Sequence, residues 1–412
     1  IQVGTENQPD LGRTLFVRET HMKKRAIRPG IQWMGAVDWN RRLFDSLIPL
    51  PDGTSYNAYL IQGEEKTALI DTVDPSKANI LMEQLESVPH LDYVISLHAE
   101  QDHSGSIPLV LEKYPEAALI CSERARGMLI DLLMIDSSRF QTVKDGDVLN
   151  LGGFSLQFFL MPWVHWPETM TAYLAEEKIL FSCDFFGSHM ATSDLFTTDS
   201  TLIDEAAMRY YAEIMMPFHK VIRRHLEKIK ELDLSLIAPS HGPIYENPSF
   251  IVDAYCDWVT GELKNKVVLP YVSMHGSTAR LVERLTGALF ERGVTVQQFD
   301  LSATDIGKLA MALVDAPTLV VGSSTVHAGP HPLAIYAASL ANALRPRLRY
   351  ASVIGSYGWG ERAVSGIAQM IPNLKVEILE PVLCKGYPRE EQLLQIDLLA
   401  ETIALKHRET PL

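Results

Sequence analysis

Cysteine is scarce in this chain. Its four residues, Cys121, Cys183, Cys256 and Cys384, are spaced too widely for a disulfide framework or a zinc knuckle. No Cys-x-x-Cys pair occurs, which excludes an appended rubredoxin-like iron centre. The four thiols are expected to be reduced and structural, as in a cytoplasmic protein. Long apolar runs are missing too, so no segment is expected to span a membrane. Basic charge is in deficit: 37 Lys and Arg stand against 51 Asp and Glu, a net charge of −14. That argues against nucleic acid as a partner, permits association with a basic surface, and mostly confers solubility. Neither Gly-x-Gly-x-x-Gly nor Gly-Lys-Ser/Thr is present, so a dinucleotide fingerprint and a triphosphate loop are both excluded.

What is present is length for two buried cores, 412 residues at 47% hydrophobic, and one dense cluster of metal-ligand side chains. His98-Ala-Glu-Gln-Asp-His103 carries His98, Glu100, Asp102 and His103. Their spacing of two, two and one does not match a helix face, where neighbours stand three or four apart. It suits a loop leaving the apolar strand Leu91 to Leu97, with Gly105 permitting a tight turn around bound ions. Any one of these residues alone would be read as ordinary loop polarity. Three further ligand candidates end apolar runs downstream: His165 after Phe158 to Val164, Asp184 after Lys178 to Cys183, and His241 after Leu234 to Ser240. A sheet can aim such strand-end residues into one cleft. Strand alternation would turn Cys183 to the face opposite Asp184. Four His, two Asp and one Glu suffice for two metals with one bridging carboxylate.

The pattern resembles the metallo-β-lactamase superfamily, whose dizinc hydrolases read His-x-His-x-Asp-His, with Glu100 standing at the second His. A carboxylate-rich site is harder and suits iron better than zinc. The form His-x-Glu-x-Asp-His, followed by His165, Asp184 and His241, resembles the flavodiiron (A-type flavoprotein) family. The resemblance implies that His98, Glu100 and His165 bind one iron, that Asp102, His103 and His241 bind the other, and that Asp184 bridges. These seven residues would form both the metal and the catalytic site. It also implies an αββα sandwich over residues 29–263, where the periodicity itself shows only mixed α and β. Met22-Lys23-Lys24, then Ile31 to Trp39, resembles the usual opening of that family, so residues 1–28 are expected to be an N-terminal extension or leader.

From residue 264 to 412 strands and helices alternate strictly, which reads as a doubly wound parallel sheet. Three loops follow strand carboxyl ends, where such sheets bind ligands. The first, Ser273-Met274-His275-Gly276-Ser277-Thr278, offers hydroxyls, a glycine and a helix N-terminus suited to a phosphate. The others carry His327, Tyr357 and Trp359, flat side chains able to cover a planar ring. These loops resemble flavodoxin. The resemblance implies FMN, its phosphate on residues 273–278, and its ring flanked by Ser324, Thr325, Val326, His327 and Ala328 and by Ser356, Tyr357, Gly358, Trp359 and Gly360. His275 replaces the Trp or Tyr commoner in the family.

The implied activity is an oxidoreductase that reduces O2 to water, nitric oxide to nitrous oxide, or both. FMN would relay electrons from a donor protein or reductase, rubredoxin-like or other. A head-to-tail homodimer, or a dimer of dimers, would juxtapose the flavin of one subunit with the irons of another. Two alternatives stand beside it. One is a dinuclear hydrolase with a flavodoxin-like regulatory domain, which Glu100 and the flavin loops disfavour. The other is an electron carrier with an inert first half, which the complete ligand set disfavours. One departure concerns Asp45, which stands where the family usually has a His near the substrate. An ionised carboxylate there is expected to turn away or to hold a water or cation, leaving His189 or Tyr210 to act in its place.

Overall fold

The computed structural model describes residues 22–359 and 366–409. Two mixed sheets come first. The seven strands Arg25–Arg28, Ile31–Trp33, Tyr59–Gln62, Thr67–Ile70, Tyr93–Ile95, Ala118–Ser122 and Phe140–Val143 pair in chain order. The five strands Val148–Asn150, Ser155–Leu160, Met170–Leu174, Ile179–Cys183 and Leu236–Pro239 do the same in the second sheet.

Strand alternation supplies two apolar faces per sheet. Ile61, Ile70, Ile95 and Ile120 meet Phe158, Ala172, Phe181 and Ala238 in the core between the sheets. Leu60, Leu69, Val94 and Leu119 point the other way, onto residues of helices Ala78–Gln84, Ile107–Lys113 and Glu123–Leu133. Tyr173, Leu180 and Ile237 back the second sheet with residues of helices Ser200–Tyr210, His219–Lys230 and Pro248–Thr260. The expected αββα sandwich results. Arg25–Arg28 pairs with the next strand, so these residues belong to the first sheet rather than to the extension expected over residues 1–28. The rest of that call, residues 1–21, lies outside the described residues.

The apolar spacing of Ile214, Val221, Ile222, Leu226 and Ile229 reads as one helical stretch from Ala206 to Leu232. Two helices stand there instead, joined by a π-helical turn at Tyr211–Met215 and a 3-10 turn at Met216–Phe218. Pro217 is the cause: it lacks an N–H, and its ring clashes with the carbonyl four residues earlier.

The third sheet is the expected parallel one. Its strand order is Thr295–Asp300, Lys266–Tyr271, Thr318–Val326, Tyr350–Tyr357, then Glu377–Ile378, with Val382–Lys385 also pairing the fourth strand. The sequence 2-1-3-4-5 is the flavodoxin-like order. Residues of helices Ser277–Glu291 and Glu390–Glu409 cover one face. The other face joins the core of the helix layer behind the second sheet. Among the described residues, no helix is long and apolar enough to cross a membrane.

Candidate active site

Both sheets of the sandwich end at one rim, and the seven ligand candidates converge there. His98 and Glu100 leave strand Tyr93–Ile95. Asp102 and His103 sit on a single helical turn, Gln101–Ser104, where a loop was expected. Gly105 ends that turn at φ −63, so it serves no left-handed bend. A Cβ there would lie 2.6 Å from Pro75 Cγ, so close approach is its role. Asp184 follows strand Ile179–Cys183, and Ser240 N donates to Cys183 O at 2.9 Å, joining the two strand ends. Asn57 fixes the end that carries His241: Nδ2 donates to Pro239 O and Gly242 O, each at 2.8 Å.

The seven side chains divide into the two expected groups. His98 Nε2 and His165 Nε2 each lie 3.1 Å from Glu100 Oε2, and 3.3 and 3.2 Å from Asp184 Oδ2. His103 Nε2 and His241 Nε2 each lie 3.2 Å from Asp102 Oδ2, and 3.2 and 3.4 Å from Asp184 Oδ1. Asp184 therefore turns one oxygen to each group. Two ligand atoms about 2.1 Å from one ion and near right angles to each other stand roughly 3 Å apart, close to these separations. Both oxygens of Asp102 and of Asp184 are buried without a hydrogen-bond partner, although imidazole nitrogens lie at ion-pair distance. Lone pairs aimed past their neighbours at a shared point are what a metal fills, so the residues fit two cations.

Electrostatics agree. Burial opposes charge on the imidazoles, but the carboxylates outweigh it. Glu100 and Glu168 hold His98 well above the ordinary range, Asp184 and Glu100 push His165 up to about 9, and Asp102 and Asp184 push His241 up to about 10. The cluster draws protons where cations would otherwise balance it.

Several residues escaped sequence reasoning. Glu168, buried, accepts from His98 Nδ1 at 2.7 Å and from Ala99 N at 3.0 Å. Ser55 O accepts from His241 Nδ1 at 2.7 Å. Asp71 accepts from Leu97 N at 2.8 Å, and burial pushes its pKa up to about 6. Asp71 ends an apolar strand, the same signal that marked Asp184. Cys183 corrects an expectation. Its backbone is left-handed (φ +54), which breaks the alternation, and its Sγ lies within 4.8 Å of ligand atoms of Asp71 and His103. Burial holds its thiol well above the usual range, so it stays protonated beneath the cluster.

The hairpin of Leu43–Phe44 and Ile48–Pro49 covers the rim. Its buried Phe44 ring stands 5.1 Å from His189 and 6.4 Å from His241. Asp45, at φ +49, does not turn away as expected. Partial burial, then the charges of Glu100 and Asp102, push its pKa up to about 6. His189 and Tyr210 do line the cleft, with ring centroids 4.8 Å apart. His189 Nδ1 pairs with Thr54 Oγ1 at 2.9 Å while its Nε2 has no partner. Burial, then His241, holds the imidazole well below its ordinary pKa, hence neutral.

The flavin-loop candidates gather at the carboxyl ends of three adjacent strands. Gly276 adopts φ +85 before helix Ser277–Glu291, Ala279 N donates to Ser273 Oγ at 3.1 Å, and Thr278 Oγ1 pairs with Ser356 Oγ at 3.0 Å. The second loop begins later than expected. Strand Thr318–Val326 continues through Ser324, Thr325 and Val326 because it pairs with Gly329–Pro330, and His327 and Ala328 form the left-handed bend between them. Ser324 Oγ and Thr325 Oγ1 are buried without partners, which suits a polar ligand. Met274 and Trp359 are exposed here. Gly360 lies outside the described residues.

Raised imidazole pKa values carry a stability consequence. A group whose folded pKa exceeds its unfolded value of about 6.5 stabilises the fold below that value, and the benefit fades as pH rises through the folded pKa. For His165 and His241 the loss falls between about pH 6.5 and about 10. The melting temperature of metal-depleted protein should fall across this window. Metal-loaded protein, whose ligand imidazoles are neutral already, should fall less, so calorimetry should show the gap widening with pH.

Comparisons with known proteins meet this geometry. Residues 54–242 match the family model described as ODP family beta lactamase. A nitric oxide reductase of Moorella thermoacetica is 36% identical over 392 residues, covering 92% of this chain and 98% of that protein. A type A flavoprotein of Rhodobacter capsulatus is 34% identical over 385 residues, covering 89% and 88%. The solved structure of rubredoxin oxygen:oxidoreductase from Desulfovibrio gigas matches at a TM-score of 0.90 and 29% identity, covering 94% of this chain and 99% of that one. With the ligand pattern, the sandwich and the flavodoxin-like sheet in one chain, these likenesses make it a member of the flavodiiron (A-type flavoprotein) family.

Proposed function

We propose that the chain is a flavodiiron oxidoreductase that reduces O2 to water, nitric oxide to nitrous oxide, or both. The observation that carries the reading is Asp184, with one oxygen facing each half of the cluster. In this reading His98, Glu100 and His165 hold one iron, Asp102, His103 and His241 hold the other, and Asp184 bridges them. Residues 273–278 hold the FMN phosphate, and residues 324–328 and 356–360 flank its ring. When bound, the irons would supply electrons and polarise the diatomic substrate, and FMN would deliver electrons to them. The chain's own part is positioning. Glu168 and Ser55 donate no protons; they accept from the Nδ1 atoms of His98 and His241, which leaves each Nε2 lone pair free to ligate. Phe44 and Tyr210 limit water at the rim.

The electron donor is a protein or reductase, rubredoxin-like or other. The comparisons with a nitric oxide reductase and a rubredoxin oxygen:oxidoreductase support both substrates and leave the donor open. A head-to-tail homodimer, or a dimer of dimers, belongs to the same reading. It would bring the flavin loops of one subunit to the metal rim of another, where His165 is the most open ligand.

Replacing Asp184 by Ala should release both irons together, because one carboxylate serves both groups. Elemental analysis finding two zincs and no iron in protein made with adequate iron would overturn the diiron assignment, and retention of one full iron in the variant would overturn the bridge. Replacing Ser277 and Thr278 by Ala should weaken FMN binding by about 0.5–3 kcal/mol each, the range spanned by hydrogen bonds to neutral and to charged groups. Recovery of FAD instead of FMN from the native protein would sink that assignment. Replacing Asp45 by His should keep both irons and FMN while shifting the relative rates with O2 and nitric oxide in anaerobic mixing, since a titrating carboxyl next to Glu100 gives way to an imidazole. Unchanged rates with both gases would remove Asp45 from substrate selection.

A further inference from the structure

We propose that Glu168 is a positioning residue that makes the two metal positions unequal, by holding His98 with a carboxylate where His241 is held by a peptide carbonyl. The inference rests on the diiron reading above and goes beyond it.

The two histidines occupy matching places. His98 Nε2 faces Glu100 and Asp184, and His241 Nε2 faces Asp102 and Asp184. Their far nitrogens differ. His98 Nδ1 donates to Glu168 Oε1 at 2.7 Å, and His241 Nδ1 donates to Ser55 O at 2.7 Å. A charged acceptor draws the imidazole proton more strongly than a neutral one does, so it raises the electron density that the opposite nitrogen offers a metal. The ion held by His98 is therefore the more electron-rich, and its oxidised state is favoured relative to that of its neighbour.

Glu168 is fixed for this task. It is 2% exposed. Its Oε1 also takes Ala99 N at 3.0 Å, next to His98 in the chain. Its main-chain carbonyl takes Ser122 Oγ at 2.9 Å, and that same Oγ caps helix Glu123–Leu133 by accepting from Ala125 N at 3.1 Å. Glu168 Oε2 is buried with no hydrogen-bond partner. A purely structural acceptor would not need a charge: Gln could accept both N–H bonds through one oxygen without burying an anion. The carboxylate is explained by what it does to His98.

The test uses full-length protein loaded with iron and FMN, comparing native chain, Glu168→Gln and Glu168→Asp. Iron content and chelator competition report binding, and a redox titration followed by electron paramagnetic resonance reports the two one-electron steps of the metal pair. Glu168→Gln should retain FMN, bind iron at one position about 10–100-fold more weakly, and raise the lower of the two steps so that their separation narrows. Glu168→Asp, which keeps the charge, should stand nearer the native protein in both readouts. If Gln stands nearer than Asp, shape rather than charge is at work and the inference is overturned. A fully loaded Gln variant with both steps unmoved also overturns it. A native chain unable to hold two irons would instead fail the diiron reading itself, and metal analysis separates that failure from the others.

Discussion

The structure depends on one unfavourable arrangement: Asp184, 1% exposed, held among four imidazoles and two other carboxylates with neither oxygen hydrogen-bonded. A buried carboxylate is costly unless its charge is met. Here protons on the histidines meet it in part, which is why His165 and His241 titrate so high. Cations would meet it in full. Most of the surrounding main chain serves to hold this arrangement open. The left-handed Cys183, the Asn57 bonds to Pro239 and Gly242, and the Asp71 bond to Leu97 each fix a strand end that would otherwise relax toward water.

The same rim is tied to the second half of the chain through helix Ser200–Tyr210. Arg209 donates to both oxygens of Asp305, at 3.0 and 2.7 Å, one residue before Tyr210 enters the cleft. Asp305 in turn caps helix Ile306–Leu313 beside the third sheet. Glu213 lies beside Arg209 on the π-helical turn, and burial pushes its carboxyl up to about 8 despite the guanidinium. A bidentate pair of this kind fixes orientation as well as distance. The flavin-side sheet and the metal-side helices thus share a rigid contact in addition to their common apolar core.

Much of this was legible in sequence because strand-end polar residues are conspicuous after apolar runs. His165, Asp184 and His241 read that way, His98, Glu100, Asp102 and His103 read from their tight spacing, and all seven converge. The parallel sheet was legible from strict alternation of strands and helices. What was not legible depended on local backbone geometry. Strand alternation put Cys183 on the wrong face because one left-handed residue cannot be read from side-chain pattern. Gly105 looked like a turn residue, yet the close approach of Gln101 O and Pro75 explains it. Glu168 lies just past His165, in Trp166-Pro167-Glu168, and nothing in that spacing says that its carboxylate reaches back to His98.

Asp45 shows how far a substitution at the rim can change a neighbour without touching the ligands. Its left-handed backbone and the tight hairpin around it keep the side chain near Glu100, and the charges of Glu100 and Asp102 add to partial burial in raising its pKa to about 6. An imidazole at that place would bring a positive charge when protonated, and would stabilise Glu100 in its ionised form. The carboxyl does the reverse: ionised, it opposes the charge of Glu100. His189, neutral and anchored through Thr54, cannot reproduce either behaviour, since burial and the nearby His241 keep a proton off it. The rim therefore joins a carboxyl raised above its ordinary range beside the metal ligands to an imidazole that burial keeps neutral.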